Sequence, residues 1–163
     1  MIPPGPASHT HDTFKCQLWV AGTPIPQGSK SVDRRNGYTF DANKNLRPWR
    51  KHVATTVAAW RAQTDHETYT TPVAAQLTFV FDRPKGHYRT GRFSHLLRDS
   101  APRFHGVKPD MDKLERALYD ALTTAQLWRD DSLVCHATID KRYARDDETP
   151  GVHIQVWPAD RPG

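Results

Sequence analysis

Residues 108–132 read KPDMDKLERALYDALTTAQLWRDDS, a helix pattern with an acidic pair at each end. Met111, Leu114, Ala117, Leu118, Ala121, Leu122 and Ala125 recur at three- and four-residue spacing, which predicts an amphipathic helix over about 110–125 with this stripe turned to a core. Asp112, Arg116 and Asp120 follow one another on the polar face with Lys113 beside them. Ion pairs four residues apart would explain that pattern, each adding about 0.2–0.5 kcal/mol. Pro109 disfavours helical geometry at Lys108, so the chain enters extended and Asp110 falls at the helix start, an N-cap position worth about 1 kcal/mol.

Capping does not account for a second acidic pair, Asp130 and Asp131, where the next strand begins. The expectation is that the two pairs meet if the helix and the following strand run antiparallel along their length. Carboxylates that converge repel one another unless a cation neutralises them. Asp110, Asp112, Asp130 and Asp131 are the candidate ligands, and an all-oxygen set suits Mg²⁺, with Mn²⁺ as a substitute. A metal held there would polarise a phosphodiester and help generate hydroxide, while Arg116 or Lys113 offsets charge on the phosphate.

The rest of the chain agrees with a nucleic-acid enzyme. A net charge of +5 and a pI near 9.4 favour polyanionic partners. No window holds the roughly 18 apolar residues of a membrane span, and the opening MIPPGPASHTHD lacks the basic start and apolar centre of a signal peptide, so a cytoplasmic protein without membrane partners is expected. Cys16 and Cys135 have no CxxC spacing and are expected to be small apolar residues. Gly-rich phosphate loops, GxSxG elbows and dinucleotide fingerprints are absent, so no nucleotide cofactor is expected.

Residues 1–12 are rich in Pro, Gly, Ser, Thr and His and are expected to form a tail, in which His9, His11 and Asp12 are an incidental group; 13–158 form one domain and 159–163 a second tail. Phe14, Cys16, Leu18 and Val20 alternate as a half-buried strand. GTPIPQGSKS (22–31) is a loop offering Ser29 and Lys30 to phosphate, and Asn36–Gly37 marks a hairpin turn followed by a short strand through Tyr38 and Phe40. Trp49, Val53, Val57 and Trp60 predict a helix over 46–64 whose other faces carry Arg47, Arg50, Lys51 and Arg61, read as a solvated basic face or a DNA contact. Val73, Ala75, Leu77, Phe79 and Phe81 predict a strand, as do Leu133, Cys135, Ala137 and Ile139, and Val152, Ile154 and Val156.

Between Asp82 and Asp110 runs a long basic loop in which Lys85, His87, Tyr88, Arg89, Arg92 and Lys108 mix with aromatics. Such a segment suits a nucleic-acid-facing arm, since cations track phosphates and aromatics stack on bases; a disordered connector is the bland alternative. The element order predicts an α+β domain with two main helices on one mixed sheet.

KPDMDKLERALYDAL followed by LWRDDSLV resembles the RusA-type Holliday junction resolvases, especially phage-encoded relatives, with weaker likeness in GTPIPQGSK and FDRPKGHY. The resemblance implies that Asp110, Asp112 and Asp131 are catalytic acids, with Asp130 beside them. Arg116 stands where the family has a catalytic lysine, and Lys113 where many members have asparagine. It further implies a homodimer that nicks opposed strands of a four-way DNA junction with magnesium. Other readings are a non-catalytic protein for branched or single-stranded DNA and a general metal-dependent flap or branch nuclease.

Overall fold

The chain, seen here in a computed structural model, is described for residues 15–161 except Ser29, Asp33 and Ala42; the side chains of 30–32 and 39–41 are likewise left aside. The tail at 1–12 with its histidines, Phe14 and Ser29 lie outside the described residues. The elements are β1 (Cys16–Ala21), β2 (Lys30–Val32), β3 (Thr39–Asp41), α1 (Leu46–Thr64), β4 (Val73–Phe81), α2 (Met111–Thr124), β5 (Val134–Tyr143) and β6 (Gly151–Pro158).

Four strands form one sheet in the order β1-β6-β4-β5; β4 and β5 are parallel and the other pairs antiparallel. A parallel neighbour requires a crossover, and the chain supplies one with the long basic loop and α2. This is the mixed α+β fold that the element order predicts. β2 and β3 make a separate hairpin whose turn includes Gly37 at φ +72°, a conformation favourable to glycine. Tyr38 was expected within the second hairpin strand; it lies in the turn and is exposed, because pairing begins at Val32 and Thr39.

VAAQLTFVF in β4 is apolar almost throughout because this strand is central and buried on both faces. Leu77 and Phe79, with Val20, Ile154 and Val156 from neighbouring strands, pack into one core with Val53 and Val57 of α1 and Leu114, Leu118 and Leu122 of α2. Met111 departs from the predicted stripe. It is 38% exposed because the first turn of α2 projects past the core edge.

A second departure concerns β5. Cys135 and Ala137 were expected on a buried face, yet the strand is exposed on both faces from Cys135 to Thr138 because it closes the sheet's edge. Only Leu133, Val134 and Ile139 join the core margin. Beyond them, Tyr143 is buried and Arg142 makes a two-pronged contact with Glu148, at 2.7 and 2.8 Å. That pair ties the end of β5 to the turn leading into β6.

Candidate active site

α2 begins where three constraints meet. The Lys108–Pro109 peptide is cis, and Asp110 follows in extended backbone (φ −71°, ψ 142°) at the N-cap position. Lys141 of β5 then donates from Nζ to the carbonyls of Val107 and Pro109, each at 2.7 Å. The Gln27 amide donates to the Lys113 carbonyl at 2.9 Å, laying the 22–28 loop against the first turn.

Asp110 stands at a cap position but does not use its carboxylate for capping. Its Oδ2 instead lies 3.5 Å from Lys113 Nζ. Asp112 and Arg116 are exposed and make no ion pair among the described residues, so the expected spacing of four along the helix does not yield pairs. Asp120 turns to the neighbouring helix and meets Arg50 at 3.3 Å.

The second acidic pair is built differently. α2 closes at Gln126, whose positive φ of 56° lets the Leu127 amide reach the Leu122 carbonyl at 3.0 Å. The chain is then clamped to Tyr69 by reciprocal backbone bonds through Leu127 and Arg129. Asp130 caps the 3₁₀ turn Asp131–Leu133, its Oδ1 accepting from the Ser132 amide at 2.9 Å. Hydrogen bonding from the Ser132 hydroxyl, with the amide bond beside it, holds the Asp130 carboxyl below the usual range.

Asp131 faces α2. Burial pushes the Tyr119 hydroxyl pKa up, and the adjacent Glu115 carboxylate and the charge of Asp131 push it further. Tyr119 stands edge-on to Trp128, whose Nε1 donates to Thr123 Oγ1 at 2.8 Å, and its buried hydroxyl makes no hydrogen bond of good geometry among the described residues. Glu115 and Tyr119 thus form a polar pair on α2 that feels the charge of Asp131.

α2 and β5 run antiparallel, the condition under which the two acidic blocks are expected to meet. The late strand residue Lys141 meets the helix entrance, where it holds the Pro109 carbonyl. The Asp131–Leu133 turn packs against α2, close enough for the charge of Asp131 to act on Tyr119. Among the described residues no three His, Cys, Asp or Glu side chains gather closely enough to hold a metal ion by themselves. Mg²⁺ keeps several waters and takes as few as one or two carboxylates, so the exposed, all-oxygen donor set fits that ion chemically without forming a closed cage.

In the arm between β4 and α2, the Arg89 amide donates to Leu96 and the Arg98 amide to His87, at 2.8 and 2.9 Å. The arm is thus organised by its own backbone bonds. Lys85, Arg89, Arg92 and Lys108 are exposed; Arg89 pairs with Asp99, and Arg92 lies over Phe93. His87 turns inward, edge-on to Tyr143, and Tyr88 is half-buried and bridged to Leu97. Both support the arm's own packing. Lys30 pairs through its backbone with Asp41.

The chain matches the family described as endodeoxyribonuclease RusA over residues 21–157. It belongs to the RusA endodeoxyribonuclease family. No curated protein matches it. RusA membership makes DNA cleavage the chemistry against which the exposed acids and Arg116 are to be understood, and no helix among the described residues is long and apolar enough to cross a membrane.

Lys141, Glu115 and Tyr119 escaped the sequence reading. Lys141 did leave a signal: it is in phase with Leu133, Cys135, Ala137 and Ile139, so a lysine continues a nominally apolar strand face. Such a residue needs acceptors, and the carbonyls of Val107 and Pro109 provide them.

Proposed function

We propose that the protein is a Mg²⁺-dependent, structure-selective endonuclease that resolves Holliday junctions by paired symmetric nicks, acting in the cytoplasm as a homodimer. The observation that carries the reading is an N-cap aspartate, Asp110, whose carboxylate is withheld from capping and exposed beside Asp112 and an Arg116 that has no ion pair among the described residues. A local rule broken at one place in an otherwise consistent fold marks function more often than defect. Two sites related by a two-fold axis suit a junction that needs two opposed cuts.

Asp110 and Asp112, with waters, would hold the ion, Mn²⁺ substituting, with Asp131 as the third acid of the site; the bound metal would supply Lewis-acid polarisation of the scissile phosphate and a more acidic water. Arg116 grips the phosphate with its planar guanidinium and offsets developing charge. Because arginine does not readily give up its proton, Lys113 is the residue suited to protonate the leaving oxygen. Both cations stand on the α2 turns that follow Asp112. The exposed cations and aromatics of the arm, Lys85, Arg89, Arg92 and Phe93, together with Lys108 and Lys30, contact the strands near the crossover.

The test compares labelled four-way junction, flap and linear duplex with the wild-type protein and Asp112→Asn, with and without Mg²⁺. Expected are Mg²⁺-dependent paired nicks in the junction and a loss of at least about 100-fold in the variant, with junction binding kept. Wild-type-like cleavage by Asp112→Asn refutes the site, and equal cleavage of flap and junction refutes the selectivity. Tight junction binding without any nicking leaves a binding protein.

A further inference from the structure

α1 carries a second basic surface that the catalytic reading does not use. A groove of about 1010 Å³ runs along this helix and is closed by residues 124–126 at the end of α2. Lys44, Arg47, Arg50 and Lys51 line it, and among the described residues neither an acidic nor an aromatic side chain does. Arg50 is held by Asp120, whereas Lys44, Arg47 and Lys51 are exposed and form no ion pair among the described residues. Arg61 belongs to the scaffold: it donates to the Ala125 carbonyl at 3.0 Å and to Thr68 Oγ1 at 2.9 Å.

This arrangement is electrostatically unfavourable for the helix alone. The N-terminal end of a helix is its positive pole and favours acidic residues, yet the first turn of α1 has none and holds Arg47 with Lys44 just before it. An external anion resolves that conflict. With no aromatic among its described lining residues to stack unpaired bases, the groove suits phosphates of a duplex rather than single-stranded bases.

Its place relative to the catalytic end follows from α2. Asp112, Arg116 and Asp120 lie along one flank, and Asp120 meets Arg50 at the groove. Eight residues rise about 12 Å. At about 3.4 Å per phosphate along one strand, that is three to four nucleotides.

We propose that the α1 groove seats the phosphate backbone of a duplex arm about three to four nucleotides from the cut, with Arg47 and Lys51 as its principal contacts and Lys44 at its mouth. The inference rests on the nuclease reading of the α2 site, since it presumes a DNA substrate. Phosphate contacts of this kind hold an arm in register without reading its sequence.

The experiment measures junction binding without Mg²⁺ from about 50 to 200 mM salt, the range over which phosphate contacts reveal themselves. It compares the wild-type protein, Arg47→Ala/Lys51→Ala, and a control pair with the same charge loss, Lys15→Ala/Arg145→Ala; circular dichroism establishes that all three are folded. Removing two phosphate contacts is expected to reduce the slope of log affinity against log salt by about 2 and affinity by about 10-fold or more, equally for unrelated arm sequences. The control pair is expected to change the slope by less than half as much. Equal effects of the two pairs overturn the groove and reduce it to net charge. An unchanged slope in the groove pair, with the wild type binding normally, also overturns it and leaves these cations to an acidic protein segment. If the wild type shows no salt-dependent binding to any DNA, the nuclease reading fails and the groove with it.

Discussion

Asp110 and Asp130 occupy the same local position, an extended residue heading a helical turn, yet their carboxylates have opposite fates. Asp130 spends its carboxylate on the Ser132 amide, one step along its own chain. Asp110 makes no such bond; its segment is held by Lys141, 31 residues ahead and on another element. The difference teaches that a carboxylate is kept available for chemistry when something else anchors its backbone. It also distinguishes Asp130, whose carboxylate caps the turn, from Asp131, whose charge reaches Tyr119 on α2.

The sharpest way to break this comparison is to neutralise the two neighbours separately. Asp131→Asn is expected to lower single-turnover junction cleavage by about 100-fold, and Asp130→Asn by about 3-fold or less. Equal losses would remove the distinction between them. Lys141→Met comes next. It strands two carbonyls, and with the ammonium partly solvated the loss is about 2 kcal/mol, or about 4–8 °C in melting temperature, with cleavage down about 10-fold. Hydrogen exchange should quicken across 107–114 and stay unchanged at 130–133; quickening at both would show that Lys141 supports the whole domain rather than one block.

A smaller effect tests the anchor's own support. Arg142, next to Lys141, holds the Glu148 carboxyl down from 4.5 to about 2 through its two-pronged hydrogen bond. A carboxyl pKa lowered by folding contributes stability that is complete above about 4.5 and is lost as pH falls towards 2. Glu148→Gln is therefore expected to lower stability at neutral pH by on the order of 1–2 kcal/mol and to flatten the acid limb of a melting-temperature profile between those values. An unchanged acid limb would contradict the pairing. Smallest of all, Tyr119→Phe removes a buried hydroxyl without a good partner and should change stability by less than about 1 kcal/mol in denaturant titration. A loss of 2 kcal/mol or more would mean that the hydroxyl is bonded between Glu115 and Asp131.

Much of this protein was legible in the chain because the relevant forces are local. The span 46–64 was read from the spacing of Trp49, Val53 and Val57, and α1 occupies Leu46–Thr64. The helix bearing Asp112 was equally visible through Leu114, Leu118 and Leu122. Periodicity failed at Met111 and along Cys135–Thr138, where apolar residues lie beyond the core. Alternation marks a strand but cannot tell whether anything packs on its faces.

The sequence by itself determined the element order, the two acidic blocks and the basic character of α1 and the arm, because capping, periodicity and charge act over a few residues. Only the tertiary structure decided how those pieces meet. The parallel placement of β5 beside β4 carries Lys141 to the entrance of α2, and helix packing sets Arg50 against Asp120 and opens a groove beside it. Contacts between residues far apart in the chain depend on which surfaces the core brings together, and no local pattern encodes that.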